Sequence, residues 1–195
     1  MFVHVGGVPG VGKTTVIAKT VKLAQEREIR VEEINGASIL CSLAGVDTIV
    51  ELRALPESVR RGLRPELNRR LYEIDRRDLQ TIRLIDGHFV FFETKGKEYG
   101  IREIQPWDKE QTIAIAVIVA NPRTILNRRL KAVTSRPDRQ QDLNFLIREQ
   151  NMEIQVAGTQ AKELDIPICL LSNEDVENLT APEKLLSFCI DQDDA

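Results

Sequence analysis

Residues 7–14 read Gly7-Val8-Pro9-Gly10-Val11-Gly12-Lys13-Thr14, which is the spacing G-x-x-x-x-G-K-T. Binding the oxygens of a triphosphate requires backbone N–H groups that converge on one point, with no side chain blocking their approach. Gly7, Gly10 and Gly12 permit the backbone angles this needs, and Pro9 stiffens the turn. Lys13 is expected to reach the β- and γ-phosphates as a point charge, Thr14 to coordinate Mg²⁺ through its hydroxyl, and Thr15 to lie near the α-phosphate. The helix that starts here adds the positive end of its dipole. Only four of the eight positions are fixed, so the pattern also fits a glycine-rich turn that binds nothing. The flanks separate the two readings. Phe2-Val3-His4-Val5 is a run of strand formers, and Thr14 to Glu26 places Val16, Ile17, Val21 and Ala24 on roughly one helical face. A strand, a cradle and a helix in that order predict a nucleotide site.

With 195 residues, 42% of them apolar, the chain suits one globular domain with or without inserted lobes. Its formal charge of -3 supplies no bulk field for a nucleic-acid or membrane-surface binder. The longest apolar run, Ile113 to Ala120, falls far short of the roughly 20 residues of a membrane helix. Neither a membrane nor a nucleic acid is therefore an expected partner. The first strand starts at once, leaving no room for a signal peptide, and this predicts a cytoplasmic protein. Cys41, Cys169 and Cys189 lack a C-x-x-C pair and fit reduced thiols, and with two histidines, His4 and His88, a transition-metal site is not expected.

Further along, Arg30 to Ile34 alternates as a second strand, its glutamates marking an edge or a strand end, and ends at the turn Asn35-Gly36. Ala37 to Leu55 predicts two brief helical stretches broken by Gly45. From Pro56 a helix carries Val59, Leu63, Leu67, Leu71 and Ile74, with Pro65 predicting a kink or two helices meeting near residues 62–65. Its arginines, Arg60, Arg61, Arg69, Arg70, Arg76 and Arg77, read as a solvated face. Thr81 to Ile85 is a strand ending at Asp86-Gly87-His88. Asp86, at the carboxyl end of a strand beside the cradle, can hold Mg²⁺ through water, or it can simply open a turn with Gly87. Lys95-Gly96-Lys97 suggests a hairpin turn or an acceptor-side loop. Ile113 to Ala120, apolar on both faces, is a central parallel strand, and Pro122 suits the first turn of the helix after it. A helix over Ile147 to Leu164, a strand over Ile166 to Leu171 and a helix over Asn178 to Cys189 complete an alternating α/β pattern. That pattern predicts a parallel sheet with helices on both sides.

Arg128, Arg136 and Arg139 follow the central strand. Phosphoryl transfer asks the protein mainly to position two reactants and neutralise charge, and arginine's fixed fork suits that task. Residues 132–142 have the composition of a lid that would close over the γ-phosphate and expel water, or of a basic surface loop.

Taken together, the residues resemble the P-loop nucleoside monophosphate kinases, and most closely the archaeal-type adenylate kinases, over nearly the whole chain. The resemblance rests on residues 7–14, on Glu51-Leu52-Arg53-Ala54-Leu55-Pro56, on Ile85-Asp86-Gly87-His88, on Asn121-Pro122 with Ile125-Leu126-Asn127-Arg128, and on Ser172-Asn173-Glu174. It implies a single P-loop kinase domain over 1–195, a three-layer α/β/α fold with five parallel strands in the order 2-3-1-4-5, and ATP with Mg²⁺ as the donor. It also implies an acceptor lobe over about 35–80 and a lid over 132–142. Arg53 resembles the arginine that binds the acceptor monophosphate, with Gly36 and His88 beside it. Arg128 resembles the one that packs on adenine, Asn173 would line the adenine pocket, and Arg136 and Arg139 resemble lid arginines. Relatives often carry an acidic residue after the glycine that follows the second strand. This chain has Asn35-Gly36-Ala37-Ser38 instead, so its acceptor pocket departs from theirs. The resemblance also leaves a homotrimer open.

Transfer from Mg·ATP to a nucleoside monophosphate, with AMP foremost, is the leading reading. A kinase for a small hydroxylated metabolite is the second, and would use Asp86 as base. A non-kinase switch or assembly ATPase is the third, although the chain has no N-K-x-D motif and no glutamate directly after Asp86.

Overall fold

The apolar runs pair into one parallel sheet. In the computed structural model, which describes residues 1–78, 80–92, 99–106, 108–132 and 141–193, β1 (Phe2–Gly6) lies at the centre of that sheet. It is flanked by β3 (Ile82–Asp86) and β6 (Thr112–Val119), with β2 (Val31–Asn35) and β7 (Ile168–Ser172) at the edges. Counting these five alone, the order is 2-3-1-4-5, as the resemblance implied.

Alternation along β1 sorts its side chains between two layers. Val3 and Val5 join Ile17, Leu84, Ala116, Ile118, Ile125 and Leu185 in the core under α1 (Lys13–Glu26), α6 (Pro122–Lys131) and α8 (Thr180–Asp193). On the opposite face Ile115 and Val117 pack with Phe89, and with Ala157 and Ala161 of α7 (Leu143–Leu164). Phe2 and Ile85 meet Leu71 of α4 (Glu57–Arg77) on that face. Full burial of a large aliphatic side chain contributes about 1.5–3 kcal/mol, and a one-residue slip of β1 would put His4 into the α1 layer. Register is thereby fixed, and the phosphate-loop motif leaves the sheet at its carboxyl edge.

Caps set the helix starts. Asn121 accepts from the Arg123 N–H with Pro122 in the first turn of α6, and Asp142 accepts from the Phe145 N–H to open α7. The two brief helices are α2 (Gly36–Ala44), capped by Asn35, and α3 (Ile49–Ala54), opened by a Thr48–Glu51 capping box. Asn35-Gly36 is therefore a helix start and not a free turn.

Two expectations change, one in α4 and one after β3. α4 is a single helix through Pro65, so two helices do not meet there. One absent N–H removes a single ladder bond, and a long helix pinned at Leu71 and stapled by Arg69 to Glu66 (2.6 Å) and Glu73 tolerates it. Strict alternation also lapses after β3, where β4 (Val90–Phe92) and β5 (Tyr99–Ile101) pair antiparallel as a separate ribbon, followed by the short α5 (Asp108–Gln111). The Lys95-Gly96-Lys97 turn lies outside the described residues, as does Trp107.

Of the thiols, Cys41 and Cys189 are buried and Cys169 is half-buried. Burial pushes Cys169 and Cys189 up to about 12. Among the described residues no helix is long and apolar enough to cross a membrane.

Candidate active site

The phosphate-loop motif has the backbone its glycines predict. Gly7 has φ 143° and Gly12 has φ 94°, both in the region that favours glycine. A Cβ at Gly7 would fall 2.7 Å from the Ile118 carbonyl oxygen, and one at Gly12 would fall 2.5 Å from Asn173 Nδ2. The loop is thus packed from behind by β6 and by the chain after β7. α1 starts from Gly12 with no side-chain cap and no acidic residue in its first turn, so its N–H groups and dipole face outward uncompensated.

Two predicted residues, Lys13 and Thr14, converge on a third, the Asp86 carboxylate. Lys13 Nζ lies 2.6 Å from Asp86 Oδ1 and donates to the Gly87 carbonyl, and Thr14 Oγ1 donates to Asp86 Oδ2 at 3.0 Å. Lys13 is buried while Thr14 and Thr15 are exposed at the mouth. Such an arrangement can place a cation and a hydroxyl against a polyphosphate, with an acidic group behind them. Strand register adds Glu33, which faces the same side: Asn35 is level with Asp86 on β3, and Glu33 lies two residues before it. Burial, then the Asp86 charge, raises the pKa of the Glu33 carboxyl.

Arg128 and Asn173 meet at the other side of the loop. Arg128 Nη1 donates to the Val11 carbonyl (2.8 Å), and its Nη2 donates to the carbonyls of Asn173 (2.9 Å) and Glu174 (2.8 Å). Asn173 Nδ2 also donates to the Val11 carbonyl at 2.8 Å. Glu174 accepts from the Asn121 N–H and from Thr124 Oγ1, and Lys19 Nζ donates to the Val176 carbonyl at 2.7 Å. Residues 173–176 are therefore fixed against the loop. A cleft of about 390 Å³ opens beside them, lined by Thr124, Asn127, Arg128, Lys131, Glu174 and Val176. Its walls combine a guanidinium plane with backbone groups, the composition that takes a planar base. A larger open groove between residues 101–104 and α7 contains no residue of the phosphate loop, so size alone does not mark this site.

The predicted acceptor residues sit on the β2–β3 side. Gly36 is the first residue of α2, directly after β2, and His88 follows Asp86 by two. Arg53 lies in α3. His88 Nδ1 is 3.9 Å from Glu153 Oε1. Arg136 and Arg139 lie outside the described residues, as does most of 132–142. Arg148, a further candidate phosphate contact, is exposed and stacks over the Phe145 ring, 5.5 Å from its centroid.

Two groups escape the motif reading. Arg129, 2% exposed, donates from Nε to the Pro9 carbonyl (2.8 Å) and from Nη2 to Glu149 (2.7 Å). Glu153, also 2% exposed, accepts from the N–H groups of Gly7, Phe89 and Val90. Helical phase carried a signal for both: Arg129 lies four residues after the buried Ile125, and Glu149 and Glu153 interrupt the stripe of Leu146, Ala157 and Ala161.

Comparison with known proteins agrees with this geometry. The AAA domain family matches residues 6–144. An adenylate kinase of Sulfurisphaera tokodaii is 30% identical over 141 residues, 68% of this chain and 69% of that protein. Among solved structures, shikimate kinase from Bacteroides thetaiotaomicron superposes with a TM-score of 0.55 at 13% identity, covering 100% of this chain and 99% of that one. A putative kinase from Chloroflexus aurantiacus gives 0.52 at 13% identity, over 97% and 93%. These two share the fold. With a phosphate loop packed between Asp86 and Asn173 and a family match over most of its length, this chain belongs to the AAA domain family, as a P-loop kinase.

Proposed function

We propose that this protein transfers the γ-phosphate of Mg·ATP to a nucleoside monophosphate, with AMP the foremost acceptor, so that ATP and AMP give two ADP. The observation that carries the reading is the convergence of Lys13, Thr14 and Asp86 at the mouth of a loop built from Gly7, Gly10 and Gly12. A cradle that any Cβ would fill, beside a hydroxyl and a carboxylate, fits a hydrated Mg²⁺ on a polyphosphate. Thr14 would hold that ion directly and Asp86 through water. When bound, it neutralises charge on the phosphate oxygens.

The protein's own part is positioning. Lys13 attracts the β- and γ-phosphates, the N–H groups of the loop and of the first turn of α1 receive their oxygens, and Arg128 packs against the base in the cleft with Asn173 behind it. Arg53 and Gly36, in the lobe over about 35–80, and His88, just after Asp86, hold the acceptor in line. Arg136 and Arg139 neutralise the transferring group from the lid over 132–142. A phosphate acceptor is already ionised, so no general base is required.

The second reading, a small hydroxylated acceptor, needs Asp86 as that base. Its two oxygens are engaged by Lys13 and Thr14, which suits the metal side better. The test supplies Mg·ATP with each nucleoside monophosphate and with a panel of alcohols. ADP formation that depends on AMP is expected. Equal phosphate release with no acceptor would remove the kinase reading.

A further inference from the structure

We propose that Glu153 is a positioning residue: its buried carboxylate locks the entry of the phosphate loop to the segment after Asp86, so that the two walls of the phosphoryl site keep one spacing. The proposal rests on the kinase reading above and names a group that reading does not use. Glu153 lies on α7, far along the chain from either wall. Its Oε1 accepts from the N–H of Gly7 (2.9 Å) and of Phe89 (3.0 Å), and its Oε2 accepts from the N–H of Val90 (2.8 Å).

Gly7 is the first residue of the loop, and Phe89 follows the Asp86-Gly87-His88 turn. One carboxylate thus spans the loop that holds the donor phosphates and the turn that carries Asp86. The walls are also tied by the Gly87 N–H to the Val5 carbonyl (3.2 Å) and by Lys13 to Asp86, but neither bond engages the N–H of Gly7, Phe89 or Val90, which Glu153 gathers. A Cβ at Gly6 would fall 2.5 Å from the Phe89 ring and 3.2 Å from Glu153 Oε1, so the two walls are already in contact. Only a group with acceptors on both oxygens and no hydrogens fits three converging donors. Glutamine supplies one such oxygen, and its amide would turn donor to donor against an N–H. Aspartate keeps the charge but, one carbon shorter, cannot reach both walls.

The carboxylate's hydrogen bonds come from three backbone N–H groups, and His88 Nδ1 lies 3.9 Å from its Oε1. Its position next to Gly7 makes it a determinant of where the loop sits when phosphate is transferred. Misplacement of a reacting group by a fraction of an ångström lowers transition-state complementarity more than ground-state binding.

The test compares Glu153→Gln and Glu153→Asp with the wild type, each assayed below its melting midpoint with Mg·ATP and the acceptor the wild type prefers. Amide hydrogen exchange of residues 6–12 and 88–90 is followed in parallel. The expected result is a kcat ten- to hundredfold lower in both variants, KM for ATP changed less than threefold, and faster exchange at both walls. Should Glu153→Gln fail to fold, Glu153→Asp carries the same test. A kcat per folded molecule within twofold of wild type would overturn the proposal, as would unchanged exchange at Gly7 and Val90. Near-normal activity in Glu153→Asp alone would also overturn it, by showing that charge and not reach matters. If the wild type transfers phosphate to no acceptor, the kinase reading falls. The exchange arm would still decide whether Glu153 ties the two walls.

Discussion

Two buried carboxylates lie on the same face of the sheet and are satisfied in opposite ways. Glu153, near the carboxyl end of β1, accepts from three backbone N–H groups, with His88 Nδ1 3.9 Å from its Oε1. Asp108, near the other end, takes mainly side chains: Arg102 Nη2 donates to its Oδ1 at 2.6 Å, His4 Nε2 lies 3.2 Å away and Thr112 Oγ1 donates at 3.3 Å, while one backbone N–H, that of Gln105, reaches its Oδ2 at 2.7 Å. Burial works to raise both. At Glu153 it prevails and the carboxyl is pushed up. At Asp108 the bonds and charges of His4 and Arg102 outweigh it and hold the acid at about 2. A carboxylate paired with a guanidinium secures the fold. One that gathers peptide groups fixes where the backbone lies, at some expense of stability.

Variants can break this contrast in order of effect. Lys13→Ala should lower kcat by at least three orders of magnitude, about 4 kcal/mol, while thermal melting moves little; a tenfold loss or less would displace Lys13 from the phosphates. Arg102→Ala leaves Asp108 buried without its cation. It should cost about 3 kcal/mol of unfolding free energy, read by urea titration, while the folded fraction keeps wild-type kcat. If instead kcat falls with stability intact, the division between the two clusters is wrong.

Acid separates the clusters next. Burial, then Arg102, lowers His4 to about 4 from its ordinary 6.5. As pH falls from 6.5 towards 4 the unfolded chain binds the proton first, so this residue's contribution is lost, by up to about 3 kcal/mol. Glu153 acts in the other sense: the stabilisation tied to its protonated form is present below its unfolded value and lost as pH rises through the raised one. Melting curves of wild type and His4→Gln across pH 4 to 7 should therefore converge at the acid end and diverge near neutrality. Curves that stay parallel would show that His4 titrates normally.

The smallest effect belongs to Arg53→Ala, expected to raise KM for the acceptor by about tenfold, near 1.4 kcal/mol, with ATP affinity spared. Equal loss of ATP affinity would move Arg53 away from the acceptor.

Legibility followed the range of the interaction. β1, β6 and the phosphate loop could be read because their determinants are local: apolar runs, a fixed glycine spacing, a proline at a helix start. Pro65 was weighted by its local rule, and packing at Leu71 overrode it. Glu153 is 146 positions from the Gly7 N–H it receives, and backbone donors leave no trace in residue types, so no motif announced it. Arg129 was hidden by its neighbour: the two adjacent arginines differ only in helical phase, one facing the cleft and the other buried against the Pro9 carbonyl.

The sulfurs on β7 and α8 offer a practical corollary. Thiolate is the species that reacts with iodoacetamide, and with both groups at about 12 almost none exists at neutral pH while the chain is folded. Alkylation at Cys169 and Cys189 would then keep time with opening of that corner, and nucleotide added beforehand should slow the clock.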